Sequence, residues 1–346
     1  MKIAVVLFNL GGPDSLPAVE PFLRNLFSDP AIINLPGIFR RPLARLIAAR
    51  RGPVAREIYA HMGGRSPIVE ETEAQARALE TALLASGHQA KCVIAMRYWH
   101  PLIAEAVDAV KAFSPERIVL LPLYPQYSTT TTASSRSEWR KLARRARLNA
   151  PLHEVCCYSF DDGFVAALCD LLENGLKAAK PDLSYRVLFS AHGLPKRIVQ
   201  RGDPYQWQVE RTVQAVVEHR AGAPFEHTVC YQSRVGPLEW IGPATDAEIR
   251  RAGAERKALI VVPVAFVSEH SETLVELDIE YGKLAKASGV PDYIRVPAVR
   301  AHPKFIEGLA RLVNAALASR TPVNCSTGRI CPSGRTCGYE RTSSHA

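Results

Sequence analysis

Eight short apolar runs punctuate this 346-residue chain, near 3–9, 91–97, 117–124 and 153–158, then near 186–191, 227–232, 258–266 and 293–297, with helical patterns between them. Apolar strands that alternate with helices pair in parallel and must be covered on both faces. The runs fall in two sets of four, on either side of Ala178-Ala-Lys-Pro181-Asp182. The expected fold is therefore α/β, with two similar Rossmann-like lobes, each a mainly parallel four-stranded sheet flanked by helices. The expected boundaries are 1–180, with an insertion at about 31–66, then 181–320 and a tail, 321–346. The last helix, about 303–319, is expected to cross back onto the first lobe.

Two runs end abruptly in reactive side chains. Arg186-Val-Leu-Phe-Ser190-Ala stops at His192-Gly193-Leu194-Pro195, and Ala258-Leu-Ile-Val-Val-Pro263-Val-Ala-Phe-Val267 stops at Ser268-Glu269-His270-Ser271-Glu272. Gly and Pro after an apolar run mark a strand entering a tight loop, and open α/β sheets bind ligands at that end of their strands. A neutral imidazole there is a fit general base. Glu272, Glu276 and Glu280 are spaced four apart, so on a helix they form one carboxylate stripe. A stripe of like charge is a solvated face unless a cation, a metal or bound protons relieve it. Carboxylate oxygens beside imidazole suit Fe(II), Mn(II) or Zn(II), and a file of acids can carry protons. That pairing suits a reaction that exchanges protons for a metal ion.

Other strand ends carry rings and hydroxyls: Arg97-Tyr98-Trp99-His100 after one run, Tyr124-Pro-Gln-Tyr127-Ser128 after another. Singly these are lobe-packing residues; together they could line a flat slot for a large planar ligand. Gly11-Gly12-Pro13 lacks the dinucleotide pattern G-x-G-x-x-G, which argues against a nucleotide. Lys and Arg outnumber Asp and Glu 43 to 34, a net charge of +9 that favours an acidic partner. No zinc-finger spacing or RNA-binding aromatic signature accompanies it, so nucleic acid is not the expected one. The insertion holds Leu35-Pro-Gly-Ile38-Phe39-Arg40-Arg41, continuing to Arg50-Arg51, a short helix with apolar and cationic faces. It reads as a surface helix packed through one face, or as a lip that meets a membrane or an apolar, anionic ligand. The opening run is too short to span a bilayer and reads as the first core strand, so a cytoplasmic protein is expected.

Ser190-Ala-His192-Gly-Leu-Pro195, Leu123-Tyr-Pro-Gln-Tyr127-Ser128, Arg97-Tyr98-Trp-His-Pro101, Gly63-Gly-Arg-Ser66-Pro67, Gln232-Ser-Arg-Val-Gly236-Pro with Trp240, and Glu269-His270-Ser-Glu272-Thr-Leu together resemble the ferrochelatases, in order, from about residue 3 to 315. The resemblance implies a chelatase-type fold and insertion of Fe(II), as substrate, into protoporphyrin IX to give protoheme. It implies His192 as the residue that takes pyrrole protons or binds metal, Glu272 as its partner, and Glu276 and Glu280 as the continuing acidic file and further metal contacts. Leu10, Ser66, Arg97, Tyr98, Tyr124 and Trp240 would border the porphyrin. Residues 35–54 would be the lip near the inner face of a membrane, making a peripheral contact.

Eight cysteines in a chain of this kind argue for reduced thiols or metal ligands. Cys325, Cys331 and Cys337 are evenly spaced in the tail, and a [2Fe-2S] cluster wants four thiolates. The spacing is similar to that of family members with a C-terminal [2Fe-2S] cluster. Where animal members carry an internal ligand after Gln-Tyr-Ser, this chain has Thr129, so the fourth ligand is expected from Cys157, with Cys156 as its alternative. Cys92, Cys169 and Cys230 are expected in the core. The rival readings are a chelatase for another tetrapyrrole or metal, such as coproporphyrin or cobalt, a non-catalytic haem or iron carrier, and a nucleotide-sugar transferase.

Overall fold

Seven of the eight residues of β1 (Lys2–Asn9) are buried, as a strand sheathed by helices on both faces must be. The computed structural model describes residues 1–220, 222, 224–234, 238–325, 330–332 and 334–337. Val235-Gly236-Pro237 of the Gln232 motif, and tail residues 326–329, 333 and 338–346, lie outside the described residues. Contacts divide the chain into two compact units. The first is Met1–Cys157 with the described parts of Leu309–Ile330 and with Cys337; the second is Tyr158–Gly308 with the described part of Cys331–Thr336.

In the first unit β1 lies between β2 (Gln89–Met96) and β3 (Arg117–Pro122), followed outward by β4 (Leu152–Val155) and a two-residue β9 (Val323–Asn324), all parallel. In the second, β5 (Tyr185–His192) lies between β6 (Glu226–Gln232) and β7 (Ala258–Pro263), with β8 (Tyr293–Arg295) outside β7, again all parallel. Leaving β9 aside, the two orders are the same. Each unit reverses its winding beside its first strand, and that switch point is where a doubly wound sheet opens a crevice at its carboxyl edge. The expected parallel four-stranded sheets are both present. β9 is an addition: Val323 pairs with Glu154 at the open edge of β4, so this part of the tail joins a sheet. Val323, Cys325, Cys331 and Cys337 are buried.

One core layer of the first unit gathers Ala4, Val6, Phe8, Ile118 and Leu120 against Ile103, Val107 and Val110, with Trp139 edge-on to Phe8. Its counterpart in the second unit packs Leu188, Leu259 and Val261 on Ile249, Leu277 and Ala285. Cys169 and Cys230 are buried as expected, while Cys92 is only half-buried.

The insertion departs from expectation in length: its helix runs from Gly37 to Ala60 and contains Pro42 and Pro53. Its buried residues are Ala44, Ala48, Gly52 and Tyr59, a stripe of mostly small side chains at helical spacing that packs on the helix Val19–Phe27. Several of its large apolar residues face outward, Ile38 at 77%, Phe39 at 65% and Val54 at 61% exposure, while Leu43, Ile47 and Ile58 are half-buried. Arg41, Arg45, Arg50 and Arg51 are exposed on the same helix. No described helix is long and apolar enough to cross a membrane.

Candidate active site

Three strand ends of the second unit meet at its switch point. His192 is the last residue of β5 and pairs in register with Gln232, the last residue of β6. β7 feeds the loop that carries Glu269 and His270, then a helix of π type, Glu272–Glu280. Gly193 allows the close approach: a Cβ there would sit 2.9 Å from the Gln232 carbonyl oxygen and 3.3 Å from the Trp240 ring. An antiparallel bridge between Pro195 and Trp240 holds that ring beside the loop after His192.

His192 Nδ1 lies 2.8 Å from Glu272 Oε2. A carboxylate partner requires Nδ1 to carry the hydrogen, which leaves Nε2 as the nitrogen free to accept a proton. Burial alone would favour the neutral ring, but the charge and hydrogen bond of Glu272 outweigh it and raise the His192 pKa. Burial likewise opposes charge on Glu272, yet His192, with His270 and Ser233, holds its carboxyl well below the usual range. Glu276 is shifted the other way, up, by burial and by the like charge of Glu272. Neighbouring carboxylates pushed apart in pKa are poised for one to keep its charge while the other holds a proton.

Ser233 joins the two acids. Its hydroxyl donates to Glu276 Oε2 at 2.5 Å and lies 3.3 Å from Glu272 Oε2, while its amide donates to Glu276 Oε1 at 2.9 Å. Gln232 Nε2 at 3.2 Å and the Tyr281 hydroxyl at 3.1 Å complete the donors to Glu276. Ser233 takes a left-handed φ of 60°, a conformation that costs energy in a residue with a Cβ and recurs at functional sites. His270 is the second imidazole. Its Nδ1 is 3.1 Å from the Ser268 carbonyl and so donates there, its Nε2 faces Glu272 Oε1 at 4.0 Å, and burial lowers its pKa against the pull of Glu272 and Glu269.

The arrangement therefore gathers His192, Glu272 and Glu276 but leaves Glu280 exposed at the far end of the helix. Gln232, Ser233 and Tyr281 were not assigned roles from sequence. The first two lay inside a quoted motif, and Tyr281 follows Glu276 by five residues, a spacing that α-helical reasoning does not bring to one face.

In the first unit Leu10, Arg97, Tyr98 and Tyr124, of the expected porphyrin-bordering residues, also follow strand ends, whereas Ser66 lies between two helices. Arg97 and Tyr98 continue the β1–β2 pairing through their amides, which donate to Asn9 and Leu10 carbonyls at 2.9 and 3.0 Å. Asp29 gathers them: its Oδ2 accepts from Arg97 Nη2 and from the Tyr98 hydroxyl, both at 2.8 Å, and from Ser134 Oγ at 2.5 Å. Tyr98 is buried and Tyr124 half-buried; burial raises the pKa of both phenols, so both stay protonated donors. Ser66 is buried against Gly12, where a Cβ would come within 2.6 Å of it. Leu10 is half-buried. Sequence reasoning missed Asp29, whose role arises only because the fold returns it to β2.

Among the described residues, the side chains close enough to share an ion are Cys156, Cys157 and Cys325, whose sulfur atoms lie within 4.8 Å of one another. Cys157 and Cys325 are 3.8 Å apart. Both candidates for the internal ligand thus reach Cys325. Cys331 belongs to the second unit, where Gln208 Nε2 lies 3.1 Å from its sulfur, and Cys337 belongs to the first. Three buried thiols in one place form a soft donor set, which fits an iron–sulfur group better than a hard cation.

A family model described as Ferrochelatase matches residues 2–317. The ferrochelatase of Phenylobacterium zucineum (strain HLK1) is 56% identical over 323 residues, covering 92% of each chain. That of Caulobacter vibrioides (strain NA1000 / CB15N) is 54% identical over 314 residues, 90% of this chain and 89% of its own. Pelagibacter ubique (strain HTCC1062) contributes a ferrochelatase 48% identical over 315 residues, 90% and 91%. Among solved structures, SirB from Bacillus subtilis with Fe3+ superposes with a TM-score of 0.52 over 92% of this chain and 96% of its own, at 15% identity. That likeness is one of fold.

Proposed function

Because this chain belongs to the ferrochelatase family and is a porphyrin metal chelatase of haem biosynthesis, we propose that its substrates are protoporphyrin IX and Fe(II), with His192 as the base and Glu272 as its partner. The observation that carries this reading is the continuous contact from His192 through Glu272 and Ser233 to Glu276. Metallation releases two protons from the pyrrole nitrogens as Fe(II) takes their place. His192 Nε2 takes a proton while Nδ1 keeps its hydrogen bond to Glu272, and the resulting imidazolium is stabilised by that carboxylate. Glu276 and then Glu280 carry protons outward, and these acids with His192 offer oxygen and nitrogen donors to the incoming ion. Leu10, Ser66, Arg97, Tyr98, Tyr124 and Trp240 border the macrocycle.

A [2Fe-2S] cluster is the cofactor we assign to Cys157, Cys325, Cys331 and Cys337, supported by the approach of Cys157 to Cys325. When bound, such a cluster would supply one-electron chemistry, and these four thiolates would hold it. The exposed Ile38 and Phe39 with their arginine neighbours support a peripheral contact with an anionic membrane surface. This would place the protein in the cytoplasm against the inner face.

The test is an anaerobic optical assay. Purified protein should show visible charge-transfer bands that Cys331→Ser bleaches, and should then convert protoporphyrin IX and Fe(II) to haem over many turnovers, faster than coproporphyrin. A faster coproporphyrin reaction would replace the substrate. A single equivalent of product would turn the enzyme into a carrier, and a colourless protein that turns over would remove the cluster.

A further inference from the structure

The carboxylates of the candidate site stand on an unusual support. π-Helical turns are rare, mostly single-turn bulges inside α-helices, yet here the bonding pattern persists over nine residues, Glu272–Glu280. The wider turn changes which residues stack: side chains four apart overshoot a full turn in an α-helix but fall short of one when each turn holds more than four residues. A return to α register would rotate Glu276 relative to Glu272 and take one of the two away from Ser233. Something must hold the wider register, and the side of the helix away from His192 shows what does.

Edge strand β8 has three residues, and its first and third, Tyr293 and Arg295, project to the same side because strand side chains alternate. The Tyr293 hydroxyl donates to the Leu277 backbone carbonyl at 2.7 Å. That carbonyl belongs to a fully buried residue in the middle of the π run, where an unmet acceptor is costly. Arg295 grips the next residue: its Nε and Nη2 donate to Asp278 Oδ1 and Oδ2, each at 2.7 Å, a two-pronged fork. Its remaining arm, Nη1, donates to Glu269 Oε1 at 2.6 Å, and the Ala298 amide donates to the same oxygen at 2.9 Å. One guanidinium, 11% exposed, thus ties the loop that enters the helix to the helix's own midpoint. β8 is in turn fixed to the sheet by the register Leu259↔Tyr293 and Val261↔Arg295.

We propose that Tyr293, Arg295 and Asp278 are positioning residues, a latch that holds the π-helix in the register that presents Glu272 and Glu276 to His192 and Ser233. None of the three touches the reacting atoms. The inference rests on the chelatase reading only for its kinetic consequence; the register itself is a property of the fold.

The experiment uses full-length Tyr293→Phe, Asp278→Asn and Arg295→Lys. The first removes one hydroxyl, the second keeps the shape of the acid, and the third keeps the positive charge beside Glu269 but cannot form the fork. Two readouts are taken together: amide hydrogen exchange across 272–280, and steady-state metallation of protoporphyrin IX by Fe(II). Faster exchange confined to that segment is expected in all three. With it we expect kcat about tenfold lower or more, since small misplacements of catalytic groups cost up to ~100-fold, and a porphyrin KM within about twofold of wild type. Wild-type exchange in the segment for Tyr293→Phe and Arg295→Lys overturns the latch, and so does faster exchange with undiminished kcat. A wild-type protein that does not metallate porphyrin sinks the chelatase reading, and the exchange result alone then decides the latch.

Discussion

At the scale of residues, the chemistry turns on which nitrogen of His192 is occupied. Glu272 engages Nδ1, so His192→Ala should lower metallation by roughly 100-fold to 10,000-fold, the range for a lost general base, while porphyrin binding, followed by fluorescence quenching, stays largely intact. Normal turnover in that variant would remove His192 from the mechanism. Because Glu272 raises the His192 pKa, the base form is reached only above the ordinary imidazole value, and the acid limb of kcat/KM should lie there. Glu272→Gln takes away that charge, so the limb should move to lower pH even as the maximal rate falls. An unmoved limb would mean that another group titrates. Glu276→Gln should slow metallation less than Glu272→Gln, and Glu280→Gln least, since Glu280 is exposed; equal and negligible effects would reduce the file to a solvated face. His192 was legible because an apolar strand delivers it into a Gly-Leu-Pro loop. Ser233 was not: its value lies in a left-handed φ and two carboxylates that arrive from another element.

At the scale of elements, the helix Gly37–Ala60 buries mostly small residues and leaves Ile38, Phe39, Leu46 and Val54 exposed. Ala48 is 1% exposed against a close neighbour, so Ala48→Leu should cost about 1–3 kcal/mol by overpacking, read as a lower denaturation midpoint. An unchanged midpoint would show that the two helices separate easily. Ile38→Asp with Phe39→Asp should leave the midpoint within about 0.5 kcal/mol, as surface changes do, and weaken sedimentation with anionic vesicles. Undiminished sedimentation would remove this face from any membrane contact. The amphipathic character of the stretch was readable in sequence, but its length was not: the sequence reads as a short helix as far as Arg51, whereas the helix passes through Pro53 and ends at Ala60. The π-helix was equally hidden: a four-residue spacing of acids reads as an α-helical stripe whichever helix carries it.

At the scale of the whole molecule, its two units repeat one strand order apart from β9, and each delivers most of its candidate residues at the carboxyl ends of its strands. Stability should be sensitive to acid. Burial opposes charge on Glu269, but Arg295 holds its pKa below the ordinary 4.5. Such a group contributes stability above the ordinary value and loses it as pH falls through the lower folded one. Glu272 acts in the same sense, whereas Glu276, shifted up, opposes them. The melting temperature should therefore fall from pH 6 to pH 3, with the loss centred below the usual carboxyl range, and less so in Glu269→Gln. A flat profile would mean that these carboxylates bind protons equally in the folded and unfolded states.

The alternation of apolar runs by itself determined that the chain forms parallel sheets under helices, because a run that is apolar on both faces can be satisfied only when both are covered. It determined too that His192 and the segment from Glu269 stand at strand ends, since Gly and Pro there leave the backbone no regular continuation. Only the tertiary structure decided that Ser233 bridges two acids, that Asp29 gathers Arg97 and Tyr98, that Cys156, Cys157 and Cys325 converge, and that β8 grips a π-helix. Periodicity encodes which face of an element is buried, whereas these contacts join residues far apart in the chain whose distances are fixed by how separate elements pack.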